Sequence, residues 1–475
     1  MGGNMRVLAF DFGASSGRAI MGEFQNGQIS LKELHRFDNV PVYMNGGLYW
    51  DLPCLFKEIK IGLQNAEKYE YSSIGIDTWG VDYALVTREG WILANPYHYR
   101  DARTEKVFQN RSKLISDSEL YSKTGIQLMN FNTLFQLLEI KEYNSGIYRL
   151  ADKLILVPDL FGYLLTGKIY AEHTIASTTQ LLDPYTKEWN NELIHEAGLK
   201  RRLFPKLIAG GTEIGYLREE LCKELGITPK KLTAVAGHDT ASAVVAVPAK
   251  KKDFAYISCG TWSLFGTELD EPCITRQAAE MNFTNETGYG GTTRFLKNII
   301  GLWLIQETRR QFHREGKRYS YADMERMARE AEPFRCFIDP DDPRFGRPGN
   351  QIQRIKQFCQ ETDQYIPRTD GEIVRCIYES LGRRYKEVFE CLMKITGKVY
   401  EEIHVVGGGA KDGFLCQMTA DMCGVPVIAG PVEATAIGNI VVQLIAAGAV
   451  KDLKEARRIL SRSFEGKEYL PRRKS

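Results

Sequence analysis

The sequence predicts a mixed α/β fold in two large domains, and three observations support this prediction. The chain has 475 residues, more than one hydrophobic core usually supports, so two domains with a cleft between them are expected. Hydrophobic residues make up 43% and charged residues 26% of the chain, as in ordinary globular proteins. Short apolar runs typical of buried strands occur together with stretches of helical periodicity.

The composition also argues against several classes of function. The 62 basic and 60 acidic side chains leave a net charge of +2 and form no basic stripe, so DNA and RNA are not expected as partners. The longest apolar stretch, 440–450, is too short to span a bilayer and predicts a buried helix, so no membrane partner is expected. The sequence shows neither a secretory signal nor a zinc-ligand spacing, and its ten cysteines are expected to be reduced thiols in a cytoplasmic protein, although a Cys359–Cys376 cross-link stays open.

Strand and helix patterns alternate in the first half of the chain. Residues Asn26 and Gly27 tolerate positive φ angles and separate two apolar runs, which predicts a β-hairpin. Strands are predicted at 7–11, 18–24, 29–31, 74–77, 84–87, 154–157 and 233–235, and helices at 55–66, 133–142, 159–165 and 241–247.

A change of composition at Pro248 marks the predicted boundary between the domains, 1–248 and 249–475. Three lysines and Asp253 separate an apolar helix from a new strand, 254–258. The segment that follows, FAYISCGTWSLFG, is similar to VLAFDFGASSGRAIM near the start of the chain. This similarity suggests a duplicated fold, with two unrelated strand–turn units as the alternative.

Two glycine-containing turns after strands are candidates for holding phosphate. Asp11 ends a buried strand, where a carboxylate is costly without a partner, and a hydrated Mg²⁺ ion is a natural one. The small residues of 13–17 leave backbone N–H groups free for phosphate oxygens, whereas a tight hairpin with a capping Asp is the structural alternative. Residues 259–263 offer a second such turn, and two turns of this kind hold ATP in the actin-like ATPase architecture. The glycines at 407–409 suit either close approach of a nucleotide or a plain strand-to-helix turn.

Asp239 is the candidate catalytic base. It lies at the predicted start of a helix, where the helix dipole favours the ionised carboxylate, although a purely structural N-cap would look the same. His238 alone is more often a structural histidine. Residues 76–82 combine carboxylates, an aromatic side chain and glycine, a mixture that suits a sugar, while a lone aromatic residue would ordinarily belong to the core.

At these residues the chain resembles the FGGY carbohydrate kinases. The motifs DFGASSGR, IDTWGVDY, AGHDTASA, SCGTWSLFG, VVGGGAKDGF and GPVEATAIGN occur in the family's order over essentially the whole chain. The resemblance implies two actin-like (ribonuclease H-like) domains that close over sugar and ATP, with Asp239 as the proton acceptor and Asp11 orienting Mg²⁺ through water. For the sugar it implies Gly80, His238, Thr240 and Asn298, and for ATP it implies Ala14, Ser15, Ser16, Gly17, Arg18, Thr261, Gln306 and Gly408. Many members have Thr where this chain has Ala14, so a hydroxyl contact to phosphate is not expected there.

The resemblance further implies a substrate. Within the family it is closest to members that use ATP to phosphorylate the ketose L-rhamnulose at position 1 during L-rhamnose degradation. Another ketose such as L-fuculose is the nearest alternative. An actin-like ATPase that controls a protein partner is the alternative from another class.

Overall fold

The computed structural model describes residues 4–472, so the first three and last three residues of the predicted domain ranges lie outside the described residues. The strands are β1 Met5–Phe12, β2 Ser16–Gln25, β3 Gln28–Asp38, β4 Val42–Met44, β5 Gly47–Tyr49, β6 Ser73–Thr78, β7 Tyr83–Val86, β8 Lys153–Leu156, β9 Ala171–Glu172, β10 Leu207–Ile208, β11 Glu213–Tyr216, β12 Lys231–Thr233, β13 Ala255–Cys259, β14 Trp262–Leu269, β15 Thr284–Thr287, β16 Thr293–Ile300, β17 Ile403–Val406, β18 Val427–Ala429 and β19 Lys467–Tyr469. The helices are α1 Leu52–Ala66, α2 Glu105–Gln109, α3 Asp117–Thr124, α4 Thr133–Tyr143, α5 Ser145–Leu150, α6 Val157–Thr166, α7 His173–Ser177, α8 Asn191–Glu196, α9 Glu219–Leu225, α10 Asp239–Val245, α11 Arg276–Glu280, α12 Trp303–Arg314, α13 Tyr321–Glu330, α14 Gln351–Glu361, α15 Asp370–Thr396, α16 Gly413–Cys423, α17 Ala434–Ala446 and α18 Leu453–Ser463.

The first compact unit contains the described residues up to Lys250 together with 268–295 and 434–463. Its six-stranded sheet has the order β11-β12-β6-β1-β2-β3. Strands β12, β6 and β1 are parallel, while β11, β2 and β3 run antiparallel to their neighbours. The predicted hairpin is confirmed, because β2 and β3 are joined by Asn26 and Gly27 with φ angles of 52° and 74°.

The second compact unit contains 251–267, 296–433 and the described residues from Phe464 onwards. Its strands follow the order β16-β14-β13-β17-β18-β19. Strand β13 pairs antiparallel with β14 and parallel with β17, as β1 pairs with β2 and β6 in the first unit. The strand orders of the two units therefore correspond, which supports a duplicated fold.

The core of the first unit lies between its sheet and the helices α1 and α6. Phe10, Leu63, Ile74 and Phe161 are fully buried there. Burial of this apolar surface is the main stabilising contribution to such a unit. The stretch 440–450, predicted as a buried helix, is helical only up to Ala446, where α17 ends, and the chain turns at the surface over 447–449. Within residues 4–472 the structure has no helix with the length and apolar character needed to cross a membrane.

Several predicted elements have different bounds in the structure; β3, for example, runs from Gln28 to Asp38 rather than over 29–31. Strand β12 ends at Thr233 rather than at Val235, because the chain leaves the ladder there and Ala234 exchanges backbone hydrogen bonds with the loop around Thr212. Helix α10 begins at Asp239 itself, two residues earlier than predicted. The domain ranges 1–248 and 249–475 stay predictions.

Candidate active site

Three aspartates lie at the carboxyl ends of neighbouring strands in the first unit. Strands β1 and β6 are parallel, and their register places Asp11 beside Asp77. The next residue of β6, Thr78, forms a parallel bridge with His238, so Asp239 begins α10 beside the same strand end. Parallel strands bring such residues to one edge of the sheet, which is the usual place for a ligand site in α/β proteins.

The three carboxyl groups differ in exposure and in pKa. The side chain of Asp239 is 24% exposed, whereas Asp11 is 3% exposed and Asp77 is fully buried. Burial raises the pKa of Asp239 to about 6; His238 opposes this rise and the Asp11 carboxylate adds to it. Burial and the charge of Asp11 raise the pKa of Asp77 well above its usual range. Asp239 is therefore the member of the group that both reaches solvent and is ionised at neutral pH.

A chain of buried polar side chains connects Asp77 to α17. Asn439 Nδ2 donates to Asp77 Oδ2 at 2.6 Å, Gln443 Nε2 donates to Asn439 Oδ1 at 2.7 Å, and Ser73 Oγ donates to Gln443 Oε1 at 2.6 Å. Among the described residues, the other carboxylate oxygen of Asp77 is buried and has no hydrogen-bond partner. A buried acceptor of this kind suits a bound cation or a water molecule.

A fully buried arginine orients the residues on either side of Asp239. Arg294 Nη2 lies 2.8 Å from Glu286 Oε2 and 3.0 Å from His238 Nδ1, and Nη1 donates to Thr240 Oγ1 at 2.8 Å. His238 Nε2 lies 3.5 Å from Asp239 Oδ1. Burial acts to raise the pKa of Glu286, but Arg294 and His238 together outweigh it through their charges and hydrogen bonds, and the pKa falls to about 2. The pair of fixed charges thus holds His238 and Thr240 next to the candidate base.

The backbone before Asp239 is fixed from two sides. Thr78 N–H donates to Gly237 O at 2.9 Å, which ties the segment to β6. On the other side, Glu172 Oε2 accepts from Gly237 N–H at 3.0 Å, and Thr174 Oγ1 accepts from His238 N–H at 3.2 Å. Asp239 is therefore presented by a rigid backbone, as a catalytic group requires.

Aromatic rings pack around the turn after β6, and two of them share one carboxylate. Trp50 stacks on Trp79 at 3.8 Å between ring centroids and on His98 at 4.0 Å. Asp82 Oδ2 accepts hydrogen bonds from both indole N–H groups, at 2.7 and 3.1 Å, and from the Tyr99 backbone N–H at 3.1 Å. Burial raises the pKa of Asp82 to about 7, although these donors favour the ionised form. The rings are thus locked in place and form a rigid apolar support.

The turn between Trp79 and Asp82 brings Gly80 next to His238. A Cβ atom at Gly80 would lie 3.2 Å from His238 Nε2 and 3.1 Å from Thr178 Cγ2. Val81 has a φ of 64°, a strained conformation for a β-branched residue. Two hydrogen bonds hold Val81 in this conformation: its N–H donates to Thr178 Oγ1, and its C=O accepts from Thr133 Oγ1. Strain of this kind is typical of functional sites.

The candidate phosphate turn of the first unit is the tight connection between β1 and β2. Gly13 N–H donates to Ser16 O at 2.9 Å, and Asn39 Nδ2 donates to Gly13 O at 2.9 Å. Arg18 Nη2 forms an ion pair with Asp11 Oδ2 at 2.7 Å. The five residues predicted to bind ATP here, 14–18, therefore lie on this turn and the start of β2, directly after Asp11.

The second unit places a similar turn between β13 and β14. Thr261 lies on this turn and its C=O accepts from Gly301 N–H at 3.2 Å, just before α12, which carries Gln306. Gly407 and Gly409 pack against Cys259 so closely that a Cβ atom would lie 3.1 and 2.1 Å from its atoms. The structure thus brings the 259–261 turn together with both α12 and the triple-glycine turn, and Gly408 has open space where a Cβ would be.

The predicted residues therefore fall into local groups. The sugar residues Gly80, His238, Asp239 and Thr240 lie together, while Asn298 lies half-buried on β16 in the second unit. Arg294 and Glu286 are not among the residues that the sequence motifs predict for the site. A partial signal exists for Arg294, since it precedes the apolar pair Phe295 and Leu296 in β16, where a charge needs a buried partner. The strand of Glu286, Thr284–Thr287, has no apolar residue and gives no such signal.

Comparison with known proteins gives family and fold. Residues 6–246 match the N-terminal domain, and residues 255–447 the C-terminal domain, of the FGGY family of carbohydrate kinases. The chain is 44% identical to a rhamnulokinase of Bacteroides thetaiotaomicron over 98% of this chain and 95% of that protein. It is likewise 44% identical to a rhamnulokinase of Bacillus subtilis over 98% of this chain and 96% of that protein.

Solved structures show the same fold at much lower sequence identity. A ligand-bound xylulose kinase from Lactobacillus acidophilus aligns with a TM-score of 0.82 and 18% identity over 98% of this chain and 94% of that chain. The predicted fold of two actin-like (ribonuclease H-like) domains with mixed sheets is thereby confirmed. The chain belongs to the FGGY family of carbohydrate kinases.

Proposed function

We propose that the chain transfers the γ-phosphoryl group of ATP to L-rhamnulose, forming L-rhamnulose 1-phosphate in the degradation of L-rhamnose, with Asp239 as general base. The observation that carries the choice of sugar is the 44% identity to rhamnulokinases over nearly the full length of both chains. The free state of all ten cysteines supports a cytoplasmic location.

In the proposed reaction, Asp239 accepts the proton of the attacking sugar hydroxyl as the bond to phosphorus forms. Its pKa of about 6 suits this role, because the carboxylate is ionised at neutral pH yet more basic than an ordinary one. His238 and Thr240, which Arg294 holds in place, hydrogen-bond other sugar hydroxyls, and Gly80 leaves room for the sugar.

The turns that follow β1 and β13 donate backbone N–H groups to the phosphates of ATP. Residues 14–18 take this part in the first unit and Thr261 in the second. Gln306 of α12 and Gly408 of the triple-glycine turn complete the ATP site, and Asn298 completes the sugar site. Asp11 and the buried oxygen of Asp77 fit a hydrated Mg²⁺ ion, since two adjacent carboxylates provide the oxygen ligands that this ion prefers. When bound, the ion would neutralise charge on the phosphate oxygens.

A panel of ketoses with coupled detection of ADP tests the proposal. We expect the highest kcat/KM with L-rhamnulose, and product analysis should find the phosphate on position 1. A preference for L-fuculose would overturn the choice of sugar. ATP hydrolysis that does not respond to any sugar would instead indicate an ATPase of the actin-like class and overturn the kinase proposal itself.

A further inference from the structure

Three cysteines that take no part in the proposed reaction lie together in the second unit. Cys336 belongs to the loop between α13 and α14, Cys359 to α14 and Cys376 to α15. Their sulfur atoms all lie within 4.8 Å of one another. The three residues are between 0% and 4% exposed, and each is a free thiol.

This arrangement is close to that of a three-coordinate metal site. Metal–sulfur bonds of about 2.3 Å place the three sulfur atoms of a planar site roughly 4 Å apart, so closing the cluster requires shifts of less than about 1 Å. Within residues 4–472, the ligand group has no histidine or carboxylate as a fourth member. A ligand set made of thiolates alone selects soft cations such as Cu(I), whereas Zn²⁺ prefers four ligands.

The loop that carries Cys336 is held in position by hydrogen bonds on both sides of the cysteine. Glu379 Oε2 accepts from the Phe334 N–H at 2.8 Å, and Ser380 Oγ accepts from the Ile338 N–H at 2.9 Å. Glu379 and Ser380 lie on α15, the same helix as Cys376. The backbone around the cluster is therefore pre-organised, as the supporting residues of a metal site should be.

A cavity lies beside the segments that carry the cluster. Its volume is about 270 Å³, and its lining includes Phe337 and Ile338, which follow Cys336, and Phe358, which precedes Cys359. The three cysteines are not part of this lining, so the cavity reaches the segments around the cluster and not the sulfur atoms.

We propose that Cys336, Cys359 and Cys376 form a binding site for one soft metal cation, and that Cu(I) fits the site best. Binding ties the 331–350 loop to α14 and α15. Because the ion binds the folded chain and not the unfolded one, it also stabilises the fold.

The test uses the full-length chain, reduced and metal-free under anaerobic conditions. Cu(I) is titrated in competition with the chelator bathocuproine disulfonate, with a parallel titration of Zn²⁺. We expect one tightly held Cu(I) per chain, weaker binding of Zn²⁺, three sulfur neighbours at about 2.3 Å by X-ray absorption and a higher Tm. Cys359→Ser should lower the Cu(I) affinity at least about 100-fold, while the matched control Cys391→Ser, on α15 but outside the cluster, should keep it.

The proposal is overturned if the chelator removes all the copper, or if folded Cys359→Ser binds Cu(I) as tightly as the unmodified chain does. It is also overturned if mass spectrometry finds two of the three thiols still joined as a disulfide after the reduction step. Circular dichroism establishes whether Cys359→Ser folds. If it does not, Cys336→Ser on the loop replaces it, with the same loss expected. Alkylation gives a further measurement, because copper should protect three thiols of the unmodified chain, and unprotected thiols would contradict the site.

Discussion

At the scale of single residues, Asp239 is the proposed general base. In Asp239→Asn the amide keeps the size of the side chain but cannot accept a proton, so kcat should fall at least about 100-fold. The side chain is 24% exposed and hydrogen-bonds mainly its own backbone neighbour, so ATP affinity and Tm should change little. The measurement is steady-state ADP formation with L-rhamnulose, together with ATP binding by calorimetry. Asp117→Asn, an exposed aspartate at the start of α3, is the control, and near-normal turnover of Asp239→Asn would remove Asp239 from its proposed role.

The same residue determines the expected pH dependence. Burial raises the pKa of Asp239 from 3.8 to about 6, so the base is protonated and inactive below that pH and ionised above it. We expect kcat/KM to rise about tenfold per pH unit below pH 6 and to level off towards pH 7. Activity regained on return to pH 7.5 separates titration from unfolding. A profile that stays flat down to pH 5 would show that Asp239 does not limit the reaction.

Around Asp239, some residues could be predicted from the sequence and others could not. Asp239 and His238 were predicted because they adjoin each other in a motif. Arg294 and Glu286 were not, because their partner groups lie on other segments, and no local pattern records that a guanidinium is 2.8 Å from Thr240 and buried. Long-range pairing of charges is a tertiary property, so only the fold reveals it.

At the scale of elements, the sequence predicted correctly those strands and turns whose formation depends on local residue preferences. The Asn26-Gly27 turn and the apolar run of β1 depend on backbone preference and on burial, and both were predicted. The predicted end of β12 was wrong, because the point where this strand ends depends on hydrogen bonds to other segments of the chain. After Thr233 the chain leaves the ladder, Ala234 bonds the loop around Thr212 and Gly237 O accepts from Thr78 N–H. None of these partners can be read from residues 233–235 themselves.

The close packing of α10 against α17 predicts that a larger residue at their contact destabilises the fold. A Cβ atom at Gly438 on α17 would lie 1.8 Å from Ser242 O on α10, so Gly438→Ala must push the two helices apart. Overpacking of this kind costs about 3 kcal/mol and should displace Asp239, lowering both the free energy of unfolding and kcat. Gly146→Ala on α5 is the matched control, because its Cβ meets nothing within 4 Å and alanine favours helix by up to about 1 kcal/mol. Urea denaturation measures both variants, and equal stability of the two would contradict the tight contact.

At the scale of the whole molecule, the two units share one topology but differ in charge. In each, a hairpin is followed by a parallel neighbour, and the turn of the hairpin is the candidate phosphate contact. The strand before the turn has Asp11 as its next-to-last residue in the first unit and the neutral Ser258 in that position in the second. The first unit also holds Asp239 and its supports. The two units thus have similar turns, but only the strand before the turn of the first unit carries a carboxylate, so we propose the metal and proton-transfer roles for that unit.

This division predicts that single glycines affect different substrates. Gly80→Ala in the first unit places a methyl group 3.2 Å from His238 Nε2, so the KM for L-rhamnulose should rise about tenfold while the KM for ATP stays constant. Gly408→Ala in the second unit fits the folded chain without contact, because nothing lies within 4 Å of the new methyl group. Any effect of Gly408→Ala must therefore come from the ligand, and we expect an increase in the KM for ATP of about tenfold with unchanged Tm and KM for sugar. Each variant controls for the other in a matrix of initial rates at varied sugar and ATP. If both variants raised the same KM, the assignment of sugar to the first unit and of Gly408 to ATP would be wrong.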